Sequence, residues 1–266
     1  MEVTQTSRSN TDAVDAGALR RPPVKGKANH ASGGRLPAEL DSNRSDTLAR
    51  QAYLALREGI ILGRYREGER LAEQRLAEEL AVSRVPLREA FPQLEMEGFV
   101  RTVPRRSAVV ARWDAKAVND LFDLRLCFEV GAARYAARQV GAGESPEPLD
   151  RALAYSREVV REGDPYKVAQ ASTAYHEAIV EVAGNQLMKN IMRLVTGRMV
   201  WLFYLTSQLA AEIALEEHDQ LRNAIWSGNE PLAESIAYVH IEHDRIPSFR
   251  ALEAQQMAAR LGGRET

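Results

Sequence analysis

Between Ser83 and Trp113 the hydropathy pattern changes period, and this change constrains the fold more than any other feature of the chain. SRVPLREAFPQLEMEG carries apolar residues at helical spacing and stops at Gly98. FVRTVPRRSAVVARW then alternates, with β-branched residues on both sides of PRRS, as a small hairpin does. Two further helical segments come before this pair. Leu48, Ala52, Leu56, Ile60 and Leu62 form one apolar face, ended by Gly63, and LAEQRLAEEL sets Leu71, Leu76, Ala77 and Leu80 on one side of a second helix. Ala81-Val82 makes a short turn, and Ser83 is a natural N-cap for the third helix. Three helices and a hairpin predict a winged helix-turn-helix over residues 46–113. In that arrangement the third helix lies in the DNA major groove and the hairpin touches the backbone or minor groove.

The charged residues agree with a polyanion partner. Residues 46–113 hold 12 Arg and no Lys against 10 acids, a net +2, whereas residues 114–250 hold 14 basic residues against 20 acids, a net −6. An excess of two charges is small, so placement decides. Arg84 and Arg88 stand i, i+4 on the first turns of the third helix, where arginine pairs with guanine edges or phosphates. Ser83 opens the same helix, and Arg105 and Arg106 sit at the hairpin tip. The competing reading is an ordinary solvated surface, which the co-placement of four arginines disfavours. Pro92 breaks the local rule: inside a helix it removes one hydrogen bond and crowds the preceding turn. A kink there, between the reading end and an anchoring end that buries Leu94 and Met96, is the expected outcome.

Residues 1–45 are rich in Ser, Gly, Pro, Asn and charge and are expected to stay disordered. RRPPVKGK within them could touch phosphates, though a solvated tail is the plainer reading. From Asp114 the chain reads as helices only, with periods near 115–140, 147–163, 166–183, 186–208, 209–227 and 230–249. An antiparallel bundle of about six helices over 114–250 follows, with 251–266 a tail or short helix. The fold class expected is therefore mainly α. His176, His218 and His240 come from three different helices, which a bundle can bring together; three neutral imidazoles suit a divalent ion such as Zn²⁺ or Ni²⁺. Isolated helical histidines are more often surface or satisfied core residues. Arg125 offers a bidentate fork to a carboxylate, or alternatively an ion pair with Glu129 one turn on. One cysteine, Cys127, excludes an internal disulfide, and no run of 18 apolar residues is present, so a cytoplasmic protein without a spanning helix is expected.

These segments carry a family resemblance. Gly63, Gly68-Glu69-Arg70-Leu71, Leu76-Ala77, Val82-Ser83-Arg84, Pro86, Arg88-Glu89-Ala90, Leu94 and Glu97-Gly98 resemble the DNA-binding domain of GntR-type bacterial transcription regulators. A DNA-contacting arginine of that family falls here on Gln74, with Arg75 adjacent; family members also carry a polar residue in place of Pro92 and a wing glycine in place of Ser107. LFDLRLCFEVGAARYAA, AYHEAIVEVAGN, EEHDQLRNAI and AYVHIEH are similar, in order, to the FCD effector-binding domain of the FadR-type branch, and six helices resemble its VanR-type subgroup. The resemblance implies a divalent metal on an Asp and three His, binding a small carboxylate effector. The histidines fall on His176, His218 and His240, and Ser172 stands where the Asp is expected. Metal site, metal-free anion pocket and structural histidines all stay open.

The reading expected from the whole is a homodimeric regulator, a repressor released or modulated by a small organic acid, that binds a palindromic operator in double-stranded DNA. Its rivals are a metal-dependent helical-bundle enzyme, which lacks an HExxH or paired Glu-x-x-His motif, and an effector-binding regulator whose DNA binding is impaired by Pro92.

Overall fold

A computed structural model describes residues 38–103 and 106–262. Helix α1 (Ala38–Ile61) begins inside the segment expected to be disordered. AELDSNRSD is nearly devoid of large apolar residues, so hydropathy is silent there, while its Ala, Glu, Leu and Arg favour helix. Leu62 falls just beyond the helix and is 36% exposed, outside the apolar face assigned to it.

Strand β1 (Arg70–Leu71), helix α2 (Glu73–Glu79), helix α3 (Arg84–Met96) and strands β2 (Val100–Val103) and β3 (Arg106–Val110) follow. The sheet order is β1-β3-β2, antiparallel throughout, with Leu71 opposite Ala108 and Val100 opposite Val110. Leu71 was expected on the second helix; it lies instead on β1, fully buried. A strand of two residues has no period for a sequence to display. The core of this domain gathers Leu56, Leu71, Leu76, Leu87, Leu94 and Phe99, all at 0% exposure. Met96 is 63% exposed, against the expectation that it would pack beside Leu94, because residues two apart on a helix face different ways.

Helix α3 continues through Pro92. The proline lies on the exposed side, and the carbonyl of Arg88, which loses its helical donor, belongs to an exposed residue as well. Ser83 takes the N-cap position with extended backbone (φ −74°, ψ 171°), but its hydroxyl makes no capping hydrogen bond.

The remainder is helical: α4 (Ala115–Gly141), α5 (Glu147–Glu162), α6 (Pro165–Val182), α7 (Gln186–Trp226) and α8 (Glu230–Gly262). The two periods expected at 186–208 and 209–227 join in one helix of 41 residues, and α8 runs 33 residues through Pro247, absorbing the piece expected as a separate tail. No glycine or proline lies between Thr206 and Glu216 to stop α7, so the helix runs on through the expected boundary. Asp114, Asp164 and Asn185 cap α4, α6 and α7 through their side-chain oxygens. Helix α4 packs on α6, α7 and α8, and α6 packs on α5 and α7.

The winged domain rests on α7. Trp113 stacks on Trp201, ring centroids 3.9 Å apart, and the guanidinium of Arg198 lies 5.5 Å above Trp113. Arg198 Nε donates to the backbone carbonyl of Glu97 (2.5 Å) at the end of α3.

Candidate metal centre and DNA-reading face

His176 on α6, His218 on α7 and His240 on α8 meet in the bundle core, each 2% exposed, with ring nitrogens all within 4.8 Å of one another. Sequence spacing could not show this convergence; helix packing does. Nδ1 of His176 lies 2.6 Å from Glu129 Oε2, and Nδ1 of His240 lies 2.8 Å from Glu217 Oε2. A carboxylate beside Nδ1 favours the proton on that nitrogen, the tautomer in which Nε2 can ligate a metal. The two Nε2 atoms nevertheless face each other at 3.5 Å, and His218 Nε2 is buried beside them without a hydrogen-bond partner. One nitrogen from each of three buried imidazoles within 4.8 Å of the others is a donor set that fits a divalent metal.

The electrostatics favour neutral rings. Burial lowers the pKa of His176, only partly offset by Glu129, and lowers that of His218 well below the usual range, with the neighbouring His240 and His176 acting in the same sense. Burial alone would raise the Glu129 carboxyl; Arg125 and His176 overcome it and bring the value down to about 2. Tyr175 stacks on His218 at 4.1 Å and donates its hydroxyl to the His218 carbonyl (2.7 Å), and Phe203 stacks on His176 at 5.3 Å.

Arg125 is 1% exposed. Its Nε donates to Glu129 (2.8 Å), the ion pair anticipated from the i, i+4 spacing. Nη1 and Nη2 are buried with no hydrogen-bond acceptor among the described residues; Asp244 Oδ2 lies 3.9 Å from Nη1. A buried guanidinium edge without a hydrogen-bond acceptor is costly, and a ligand carboxylate would satisfy it bidentately. Beside the centre, Ser172, Thr206, Ser207, His218 and Asp244 line a cavity that opens to solvent. Ser172 is thus at the site, as its place one turn before His176 requires. Glu129, Glu217 and Asp244 had no motif to mark them in the sequence; only Glu129 was named, as a partner for Arg125.

On the other domain, Arg84 and Arg88 share an exposed face and one acceptor. Glu73 Oε2 receives Arg84 Nε (3.1 Å), Arg84 Nη2 (3.0 Å) and Arg88 Nε (2.9 Å). Sequence reading missed Glu73, which lies eleven and fifteen residues from its partners. Arg75 pairs with Glu69 (2.5 Å), apart from this pair, while Gln74 is exposed. Arg105 lies outside the described residues, and Arg106 is described only as the first residue of β3.

A winged helix-turn-helix joined to a helical bundle around three buried histidines has the architecture of a DNA-binding regulator. The description "Bacterial regulatory proteins, gntR family" matches residues 48–110, and "FCD domain" matches residues 120–243. The chain belongs to the GntR family of transcription regulators, in the branch that carries an FCD domain. It is similar to the HTH-type transcriptional regulator YdhC of Bacillus subtilis, 26% identical over 73% of this chain and 88% of that one. It is also similar to the gluconate operon transcriptional repressor of Bacillus licheniformis, 31% identical over 47% of this chain and 51% of that one. The fold matches that of a GntR regulator from Rhodococcus sp. RHA1 with a TM-score of 0.64, at 22% identity, over 77% of this chain and 99% of that one. Both matched families and these relatives are regulators, not enzymes, so the metal-dependent enzyme reading is set aside. Among the described residues no helix is long and apolar enough to cross a membrane.

Proposed function

We propose that this regulator is a homodimeric repressor of a palindromic operator, released or modulated by a small organic acid bound at a divalent cation on His176, His218 and His240. The observation that carries the reading is the convergence of three buried imidazoles, two with a carboxylate beside Nδ1 and the third, His218, with its Nε2 lacking a hydrogen-bond partner. The cation, Zn²⁺ or Ni²⁺ from the donor chemistry, would supply a Lewis-acidic point for the effector carboxylate. Arg125 would bind that carboxylate through its Nη edge, which has no hydrogen-bond acceptor among the described residues, and Ser172, Thr206 and Ser207 would orient the rest of the molecule. Repression follows the naming of relatives such as the gluconate operon repressor.

Arg84 and Arg88 would read the major groove, with Ser83, Arg75, Arg105 and Arg106 at the phosphates or minor groove. Continuity of α3 through Pro92, with both arginines ahead of the proline, favours retained DNA binding over an impaired regulator. Two-fold symmetry matches two such domains to a palindrome. Domains over 46–113 and 114–250 would carry these two roles, in a cytoplasmic protein.

The test is fluorescence anisotropy of the full chain on DNA from its neighbouring promoter, at low salt, with metal content measured in parallel. Operator binding that changes on adding a small organic acid, and loses that response in chelator, is the expected result. Absence of any binding to upstream palindromes would overturn the regulator mechanism proposed here.

A further inference from the structure

A divalent cation held by three neutral imidazoles keeps its full charge, and a buried site tolerates that poorly without a carboxylate. Position 172, where the family resemblance expects the anionic ligand, is a serine. The two carboxylates behind the histidines are already committed. Glu129 holds Arg125 and His176, and Glu217 holds His240 and His243.

Asp244 is the carboxylate that remains. It stands one turn after His240 on α8, and side chains at that spacing rise from one face of a helix. It lines the same cavity as Ser172 and His218, and its side chain is only 16% exposed. Among the described residues its carboxylate makes no hydrogen bond; its partner is Arg125 Nη1 at 3.9 Å, beyond hydrogen-bond range.

We infer that Asp244 supplies the carboxylate that Ser172 cannot, so that the anionic member of the metal centre comes from α8 in place of α6. The inference rests on the metal reading of His176, His218 and His240. These three ring nitrogens form their cluster without Asp244, so ligation requires the carboxylate to leave Arg125. That departure gives the Nη edge of Arg125, already without an acceptor, wholly to an effector carboxylate. Metal loading and effector affinity are then coupled through one short side chain. A regulator built on Ser172 without such a carboxylate would bind the cation weakly and hold it only with the effector present.

Co²⁺ and Zn²⁺ titrations of the full chain separate the possibilities, because the visible spectrum of Co²⁺ reports its ligand set and chelator competition gives affinity. Asp244→Asn keeps the shape of the side chain and removes the charge. It is expected to weaken cation affinity by about tenfold or more and to change the Co²⁺ spectrum. Adding Ser172→Asp to that variant should recover the affinity, which loss of fold alone would not allow. Unchanged affinity and spectrum in Asp244→Asn, with wild type binding one cation and His218→Ala binding none, would overturn the role of Asp244 and leave the three-histidine centre standing. No uptake by wild type, indistinguishable from His218→Ala, would overturn the metal centre itself.

Discussion

Glu73 holds Arg84 and Arg88 on one oxygen, so the two arginines are aligned before any DNA arrives. An exposed pair of this kind contributes little to stability, but it fixes two long side chains and removes a non-specific cationic field. Arg84→Ala and Arg88→Ala should each weaken operator binding by about 1–3 kcal/mol if they read bases. Sharing one partner makes the double variant non-additive, and Glu73→Ala should reduce discrimination between operator and scrambled DNA. Anisotropy on both DNAs checks this; affinities equal to wild type in all four variants would displace α3 from the groove.

At the three-histidine cluster the titrating residues act in one direction. Folded-state values of His176 and His218 lie below the usual histidine value, so as pH falls through about 6.5 the unfolded chain takes up protons first. Glu129, held at about 2, adds stability that is present above the usual carboxylate range and lost as pH falls towards 2. The apo protein should therefore lose stability on acidification from pH 7. The slope is about 1.4 kcal/mol per pH unit for each proton taken up by the unfolded chain alone. Thermal melts in chelator measure it, and His218→Asn should flatten the dependence between pH 7 and 5.

Among the elements, α3 and the turn before it each store a local cost. Pro92 deprives the Arg88 carbonyl of its donor within an otherwise continuous, exposed helix face. Pro92→Ala is expected to stabilise the protein by about 2–3 kcal/mol, measured by denaturant unfolding, with operator affinity retained. Ala81 has φ 52°, a left-handed conformation that a Cβ disfavours by about 1–2 kcal/mol. Ala81→Gly relieves that cost but adds freedom to the unfolded chain, for an expected net gain of about 0.5–1 kcal/mol. Helix α7 matters in another way. One helix of 41 residues bears Arg198 and Trp201 against the winged domain, Phe203 against His176 and Arg125, and Glu217 and His218 at the centre. The helix expected as two pieces is a single strut, because no Gly or Pro lies between Thr206 and Glu216 to interrupt its backbone hydrogen bonding.

Over the whole molecule, that strut meets the end of the recognition helix. Arg198 donates to the Glu97 carbonyl, and Gly98 beside it has φ 75°, where an added Cβ would fall 1.7 Å from Arg198 Nη2. Glu97 itself is buried with its carboxylate on the Tyr53 hydroxyl (2.7 and 2.8 Å), and burial raises its pKa in spite of that hydrogen bond and the nearby Arg57 and Arg198. Arg198→Ala removes a charge-assisted bond at this junction, costing about 1.5–3 kcal/mol of stability. Its sharper signature is functional: operator affinity and effector affinity should each persist while the change in one caused by the other shrinks. Anisotropy with and without effector measures that coupling, and an undiminished response would place the route elsewhere.

The winged helix-turn-helix, the helical character of the second domain and the identity of its three histidines were legible in the sequence. The first two rest on short-range pattern, with period 3.6 giving way to period 2 after Gly98 and glycines at turns, and the histidines rest on the family resemblance. What the sequence could not determine depends on long-range packing. The pairing of Leu71 with Ala108, the grip of Glu73 on two arginines, the joining of α7 and the carboxylates behind the histidines all link residues distant in the chain. Ser172 marked the anionic ligand as missing; only the meeting of α6, α7 and α8 at one cavity brought Asp244 beside the gap.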